Sequence, residues 1–249
     1  MAIDTDKNSY TIIFAVVMVL VVGSILAGLA QGLKPMVKAN ERFEIQQNIL
    51  YALGVNENSG PSDVKFVSAD KVDAIFNESI VKQYVIEGDK VTEDPLAYMI
   101  SIKKEEGLAK DPNYTRRLPL FEAQKEGKTV YIIPVRGKGL WDAIWGFVTV
   151  DKDMVVQGVF FDHAGETPGL GTGIKERFFM DDFEGEHLLD SSGDFQGINV
   201  AKGNSDPRND RKTDHAVDAM AGATITGDGV TAMIKKDLKM YVPYFKTLK

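Results

Sequence analysis

Residues 9–33 carry no Asp, Glu, Lys, Arg or His, and the stretch 12–22 is apolar all round. A helix with no polar face belongs inside a large core or a membrane. At ~1.5 Å of rise per residue this one exceeds the ~30 Å of a bilayer's hydrocarbon layer. Tyr10 at one edge and Lys34 and Lys38 at the other fit interfacial anchors. The pattern therefore predicts a membrane anchor at residues 1–34 and a separate domain at 35–249. Gly28-Leu29-Ala30 also resembles the small-x-small cleavage site of a secretory signal. Against that, the apolar run is too long, and the first eight residues set Asp4 and Asp6 against Lys7 alone. The expectation is a retained span. Ser24, Gly28 and Gly32 recur every four residues, a spacing that lets a second membrane helix approach; glycine is also simply common in such helices.

Beyond the span the periodicity changes. Ile45, Ile49 and Leu53 repeat at helical spacing over residues 41–53 until Gly54, and a polar loop follows at 56–63. Val72, Ile75, Phe76 and Ile80 mark the inner face of a second helix at 69–80. The middle of the chain reads as strands at 82–87, 118–123, 129–135, 144–150 and 154–161, with tight turns at 125–127 and 151–153. Strands joined by such turns are antiparallel, and helices before and after make the class α+β. Residues 175–183 read as an acidic helix. Residues 203–214, with Asp206, Asn209 and Asp210, read as a solvated turn, because Pro207 and the spacing exclude a calcium loop. Val230, Met233, Ile234, Leu238 and Tyr241 fall on one face of a closing helix opened by Gly227-Asp228-Gly229.

Composition narrows the chemistry. With 249 residues, 44% of them hydrophobic, the chain can bury a substantial core. The net charge of −7 argues against nucleic acid as the main partner. There is no cysteine, which removes disulfides, thiolate nucleophiles, Fe–S clusters and cysteine zinc sites. The only histidines are His163, His187 and His215, far apart in sequence.

Two stretches carry candidate chemistry. In Asp218-Ala219-Met220-Ala221-Gly222-Ala223-Thr224-Ile225-Thr226, small residues lead through two threonines into the closing helix. Such a backbone lets a bulky group come close, and a helix start offers unpaired N–H groups and a positive dipole end. The arrangement suits a phosphate, with the Thr224 and Thr226 hydroxyls at the same place. It also suits a plain tight turn with Thr226 as N-cap. The second stretch, residues 163–173, is a glycine-dense polar loop directly after a strand, where ligands are often held. Gly169-x-Gly171 lacks the third glycine of a dinucleotide fingerprint, and His163 with Glu166 lacks a third metal ligand. Trp141, closing Gly137-Lys138-Gly139-Leu140-Trp141, reads as a core residue first and a flat surface for an aromatic ligand second. Lys202 reads as a surface lysine that could approach a phosphate.

Both stretches resemble a known family. D-x-x-[S/T]-G-A-T is the motif at which a flavin transferase joins FMN to a threonine through its phosphate. It is shared by C subunits of sodium-translocating NADH:quinone reductases and the related G subunits of Rnf complexes. Asp218, Gly222, Ala223 and Thr224 match it, and Ala221 replaces the usual Ser or Thr. H-x-x-E-T-P-G-L-G is a signature of the FMN-binding domain in these subunits, matched by His163 and by Glu166 through Gly171. Gly139, Leu140, Trp141 and Gly146 match the region before it.

The resemblance implies an FMN-binding domain behind a single membrane helix, with covalent FMN at Thr224 and Thr226 as the fallback. Glu166, Thr167, Leu170 and Gly171 would border the flavin. The implied role is electron transfer between other redox centres of a sodium-pumping NADH:ubiquinone oxidoreductase, the active site not being complete on this chain. The implied partners are the other membrane subunits, a flavin transferase and membrane lipid. The implied location is the bacterial inner membrane, with the main domain periplasmic. Charge bias points the other way, since Lys34, Lys38 and Arg42 follow the span and only Lys7 precedes it; that rule weakens before a long domain. An Rnf G subunit, or a tethered module that binds a phosphorylated ligand without redox chemistry, remains the alternative.

Overall fold

A computed structural model describes residues 7–203, 206 and 208–248. Asp4, Asp6 and Pro207 lie outside the described residues. The chain forms two units, Met1–Phe43 and Glu44–Lys249. Residues 8–43 of the first belong to α1 (Asn8–Leu53), whose most apolar eighteen-residue stretch has a mean hydropathy of 2.9 and no buried residue. It is one helix long and apolar enough to cross a membrane.

The sequence separates the span from a helix at 41–53; the structure joins them into one helix through Pro35. In the second unit the end of α1 buries Ile49, Leu50, Tyr51, Ala52 and Leu53. After it come α2 (Val72–Ser79), β1 (Ile80–Glu87), β2 (Lys90–Glu93), α3 (Ile102–Leu108), β3 (Arg117–Lys125), β4 (Lys128–Lys138), β5 (Ala143–Asp151) and β6 (Val156–His163). The strands make an antiparallel sheet in the order β2-β1-β3-β4-β5-β6.

Both faces of this sheet are covered, which is why the middle of β4 is buried without alternation. On one face, Ile132 of β4 pairs with Thr149 of β5, whose hydroxyl donates to the Ala52 carbonyl at 2.7 Å. Gly158 sits opposite Thr149, and a Cβ there would stand 2.5 Å from that same carbonyl, so only glycine lets the helix end settle on the sheet. The other face carries α5 (Thr224–Leu238) and α6 (Val242–Lys246). Phe245 packs edge-on against Tyr131, and Tyr241 donates to the Pro119 carbonyl at 2.9 Å. Gly137 meets the Met233 side chain, which sets α5 hard against the end of β4. Asp237, 1% exposed, accepts from the Arg136 N–H at 2.7 Å; burial raises its pKa above the usual carboxylate value.

Between β6 and α5 the chain is irregular. The acidic helix expected at 175–183 is instead three short turns: Gly171–Lys175, α4 (Arg177–Met180) and Asp181–Phe183. Phe179 and Phe183 pack on Phe161 of β6, so aromatic contacts rather than helical continuity fix this segment. β7 (Asn199–Ala201) and β8 (Ala216–Asp218) form a small parallel pair. The loop expected to be a solvated turn is partly interior, with Asp206 and Asn209 buried.

Candidate functional site

The closing helix starts three residues earlier than its apolar pattern shows, at Thr224. Its N-cap is Ala223, which has no side-chain acceptor for the first-turn N–H groups. Thr226 is therefore inside the helix, not its cap. Gly222, just before, has φ +75°, and a Cβ there would come within 2.8 Å of Leu170 Cδ2. The left-handed conformation favours glycine at that turn, while the exposed Leu170 tip could shift to make room.

The loop after β6 reaches this helix start. Leu140, Glu166, Thr167, Leu170, Gly171 and residues 222–226 line one groove of about 220 Å³. Two stretches more than fifty residues apart in the chain thus share one concavity. Thr224 is exposed in it, and Leu140 (42%), Leu170 (42%) and Ile225 (56%) give it an apolar rim. Sequence reasoning does not single out Leu140 or Ile225 as site residues in their own right. Their signal is an apolar side chain fixed between glycine-rich or polar neighbours at a loop tip and a helix start.

Glu166 is the pin of the site. It is 5% exposed; Oε1 accepts from the Trp141 N–H at 3.0 Å and Oε2 from the Thr226 hydroxyl at 2.5 Å. Gly139 and Gly171 press against the same carboxylate, and a Cβ at Gly139 would stand 2.5 Å from Oε1. Burial works to raise its pKa, but the Thr226 hydroxyl and the N–H groups of Trp141, Leu140 and Asp142 outweigh burial. The net result holds it below the usual carboxylate value. The carboxylate therefore joins three segments: the β4–β5 connection, the loop after β6 and α5.

The other expected residues divide. Trp141 is not core: it is 67% exposed, with its indole N–H donating to Thr167 Oγ1 at 3.0 Å. The tight β4–β5 connection turns it outward beside the groove, which leaves the flat-surface reading. Asp218 is half-buried on β8, and Lys202 is exposed in the turn after β7; neither lines the groove. Thr226 lines it but is 1% exposed, its hydroxyl committed to Glu166.

An uncapped helix N-terminus beside glycines suits a phosphate, and an apolar rim suits a flat ring. Comparisons agree. Residues 139–239, which include every groove residue, match the FMN-binding domain family. The C subunit of the Na(+)-translocating NADH-quinone reductase of Pseudomonas aeruginosa is 32% identical over 250 residues, covering 92% of this chain and 90% of that protein. Its counterpart in Neisseria meningitidis serogroup B is 29% identical and covers 99% and 96%. Among solved structures, the corresponding C subunit from Parabacteroides distasonis superposes with a TM-score of 0.71 at 29% identity, covering 86% of this chain and 96% of that one.

The fold and the groove define a protein with an FMN-binding domain and one N-terminal helix long and apolar enough to cross a membrane. The chain belongs to the family of Na(+)-translocating NADH-quinone reductase C subunits, components of an oxidoreductase.

Proposed function

We propose that this chain carries FMN joined through its phosphate to Thr224, and that it passes electrons between other redox centres of a sodium-pumping NADH:ubiquinone oxidoreductase. The supporting observation is the exposed Thr224 hydroxyl at an uncapped helix N-terminus, in the groove closed by the Glu166–Gly171 loop. FMN supplies the redox chemistry; the protein supplies position and electrostatics.

The first-turn N–H groups of α5 hold the phosphate, and the dipole of that helix favours its negative charge. The Glu166 carboxylate holds Thr226 away from solvent, so that Thr224 is the hydroxyl offered to a flavin transferase. Leu170 and Leu140, which line the groove, would cover an apolar face of the ring, and Thr167 holds the Trp141 indole where it could flank that ring. Residues 1–34 anchor the chain among membrane lipid and the other subunits. Residues 35–249 lie on the periplasmic side of a bacterial inner membrane.

An absorbance spectrum tests covalency. The full chain, co-expressed with a flavin transferase, is denatured and freed of small molecules. Flavin absorbance stays with the chain on this account; a colourless chain with FMN in the wash contradicts it.

A further inference from the structure

Glu186 belongs to no part of the flavin groove, yet it is completely enclosed, at 0% exposure. It follows the Asp181–Phe183 turn, and its own backbone is tied to β6 because the Val156 N–H donates to its carbonyl at 2.9 Å. Its side chain meets the loop that leads to β8. Oε1 accepts from Asn209 Nδ2 at 3.0 Å and lies 3.9 Å from Lys212 Nζ. Asn209 takes the left-handed φ of +48° to reach it, and its Nδ2 also donates to the Asp182 carbonyl. Those two bonds fix which end of the amide is nitrogen, since an oxygen there would face two acceptors. Among the described residues, Glu186 Oε2 and Asn209 Oδ1 are buried and have no partner.

A buried acceptor without a donor is costly, and here two occur on groups already joined by one hydrogen bond. One proton on Oε2 would satisfy both, since a carboxylic acid and a primary amide close a ring of two hydrogen bonds: N–H to acid carbonyl, acid O–H to amide carbonyl. We propose that Glu186 and Asn209 form an interior proton-binding site, an acid–amide pair that fastens residues 208–215 to the turn after Phe183. When the proton leaves, both oxygens are desolvated without a donor and the fastening loosens.

The surroundings agree with this direction. Burial, the largest cause, pushes the Glu186 pKa up to about 7; the Asn209 N–H and Lys212 pull it down, while Asp214 and Asp206 push it up. The same segments also carry Asp181, Asp182, Glu184, His187, Arg208, Asp210, Arg211 and His215. Arg211 Nε lies 3.4 Å from an Asp206 oxygen and 3.5 Å from an Asp214 oxygen. His215 Nδ1 pairs with the His187 carbonyl at 2.7 Å, and the Lys212 ammonium also donates to the Asp182 carbonyl at 3.2 Å. The same loop runs through His215 into β8 and then into the turn before Thr224, so the proton site steadies the approach to the flavin groove.

The sign follows from the raised pKa. The folded chain holds this proton more tightly than the unfolded chain does. Its contribution to stability is therefore full below the ordinary carboxylate value of about 4.5 and is lost as pH rises to about 7. Glu186→Gln imitates the protonated acid, because its amide can both accept from and donate to Asn209.

The test is infrared spectroscopy of the full chain in detergent micelles across pH 5 to 9, which follows the carbonyl stretch of protonated carboxylic acids. A band that fades with a midpoint near neutrality and is missing in Glu186→Gln is expected. Denaturant midpoints of that variant should lose the slope that the wild type shows between pH 5 and 7. A wild type without such a band, or a band unchanged in Glu186→Gln, overturns the proposal. If Glu186→Gln does not fold, Lys212→Met replaces a partly exposed cation and should move the wild-type midpoint upward; an unmoved midpoint overturns the assignment.

Discussion

Thr224→Ala yields a folded chain that keeps no flavin after denaturation. Thr224 is exposed at the first position of α5 and its side chain makes no hydrogen bond among those described, so stability changes by less than about 0.5 kcal/mol. Fluorescence on a denaturing gel should vanish entirely. Thr226→Val gives the opposite result. It keeps the shape of the side chain and the flavin, but leaves Glu166 Oε2 buried without its donor, at a cost of about 1–3 kcal/mol. Fluorescence that survives in Thr224→Ala and disappears in Thr226→Val would move the attachment to the second threonine.

Glu166→Ala has the largest expected effect on folding. It removes the acceptor for the Trp141 N–H and the Thr226 hydroxyl, and it leaves a void beside Gly139 and Gly171. A loss of about 3 kcal/mol is expected, read as a lowered denaturant midpoint with an unchanged slope. Flavin loading should fall with it, because the loop and the helix start are then no longer joined. Glu166→Gln separates charge from geometry. One end of the amide still accepts the Trp141 N–H, and the other donates to Thr226, whose hydroxyl can turn to accept. This variant should stay within about 1 kcal/mol of wild type at pH 7.

It should also lose an acid sensitivity that the wild type has. Because the folded pKa of Glu166 is depressed, its contribution is present above the ordinary carboxylate value and lost as pH falls through the folded value. Equal acid sensitivity in both chains would mean that Glu166 is not the charged pin.

The two motifs are legible in the sequence because each is local. A helix-period pattern after small residues marks the turn before α5, and a glycine-dense run after a strand marks the loop. Their meeting in one groove is not legible from spacing. It depends on β4, β5 and β6 bringing residues 139–141, 166–171 and 222–226 together. Trp141 reads wrongly as core because an aromatic beside glycines looks buried when the direction of its strand connection is unknown.

Other elements escape sequence reasoning for local reasons. The segment 175–183 has a helical composition, but its aromatics are consumed by Phe161 rather than by a helical face. β7 and β8 have three residues each, too few to show alternation, and they pair in parallel across an irregular loop. Asn209 reads as solvated because nothing in sequence reveals that Glu186 is buried beneath it.

Attachment through the phosphate at Thr224 is tested most directly by mass spectrometry of peptide 213–235, released by trypsin from the full chain matured with its flavin transferase. The peptide should be heavier by one FMN less one water, with fragmentation placing the addition on Thr224. An unmodified peptide from a flavin-loaded chain, or an addition on another residue, contradicts the account.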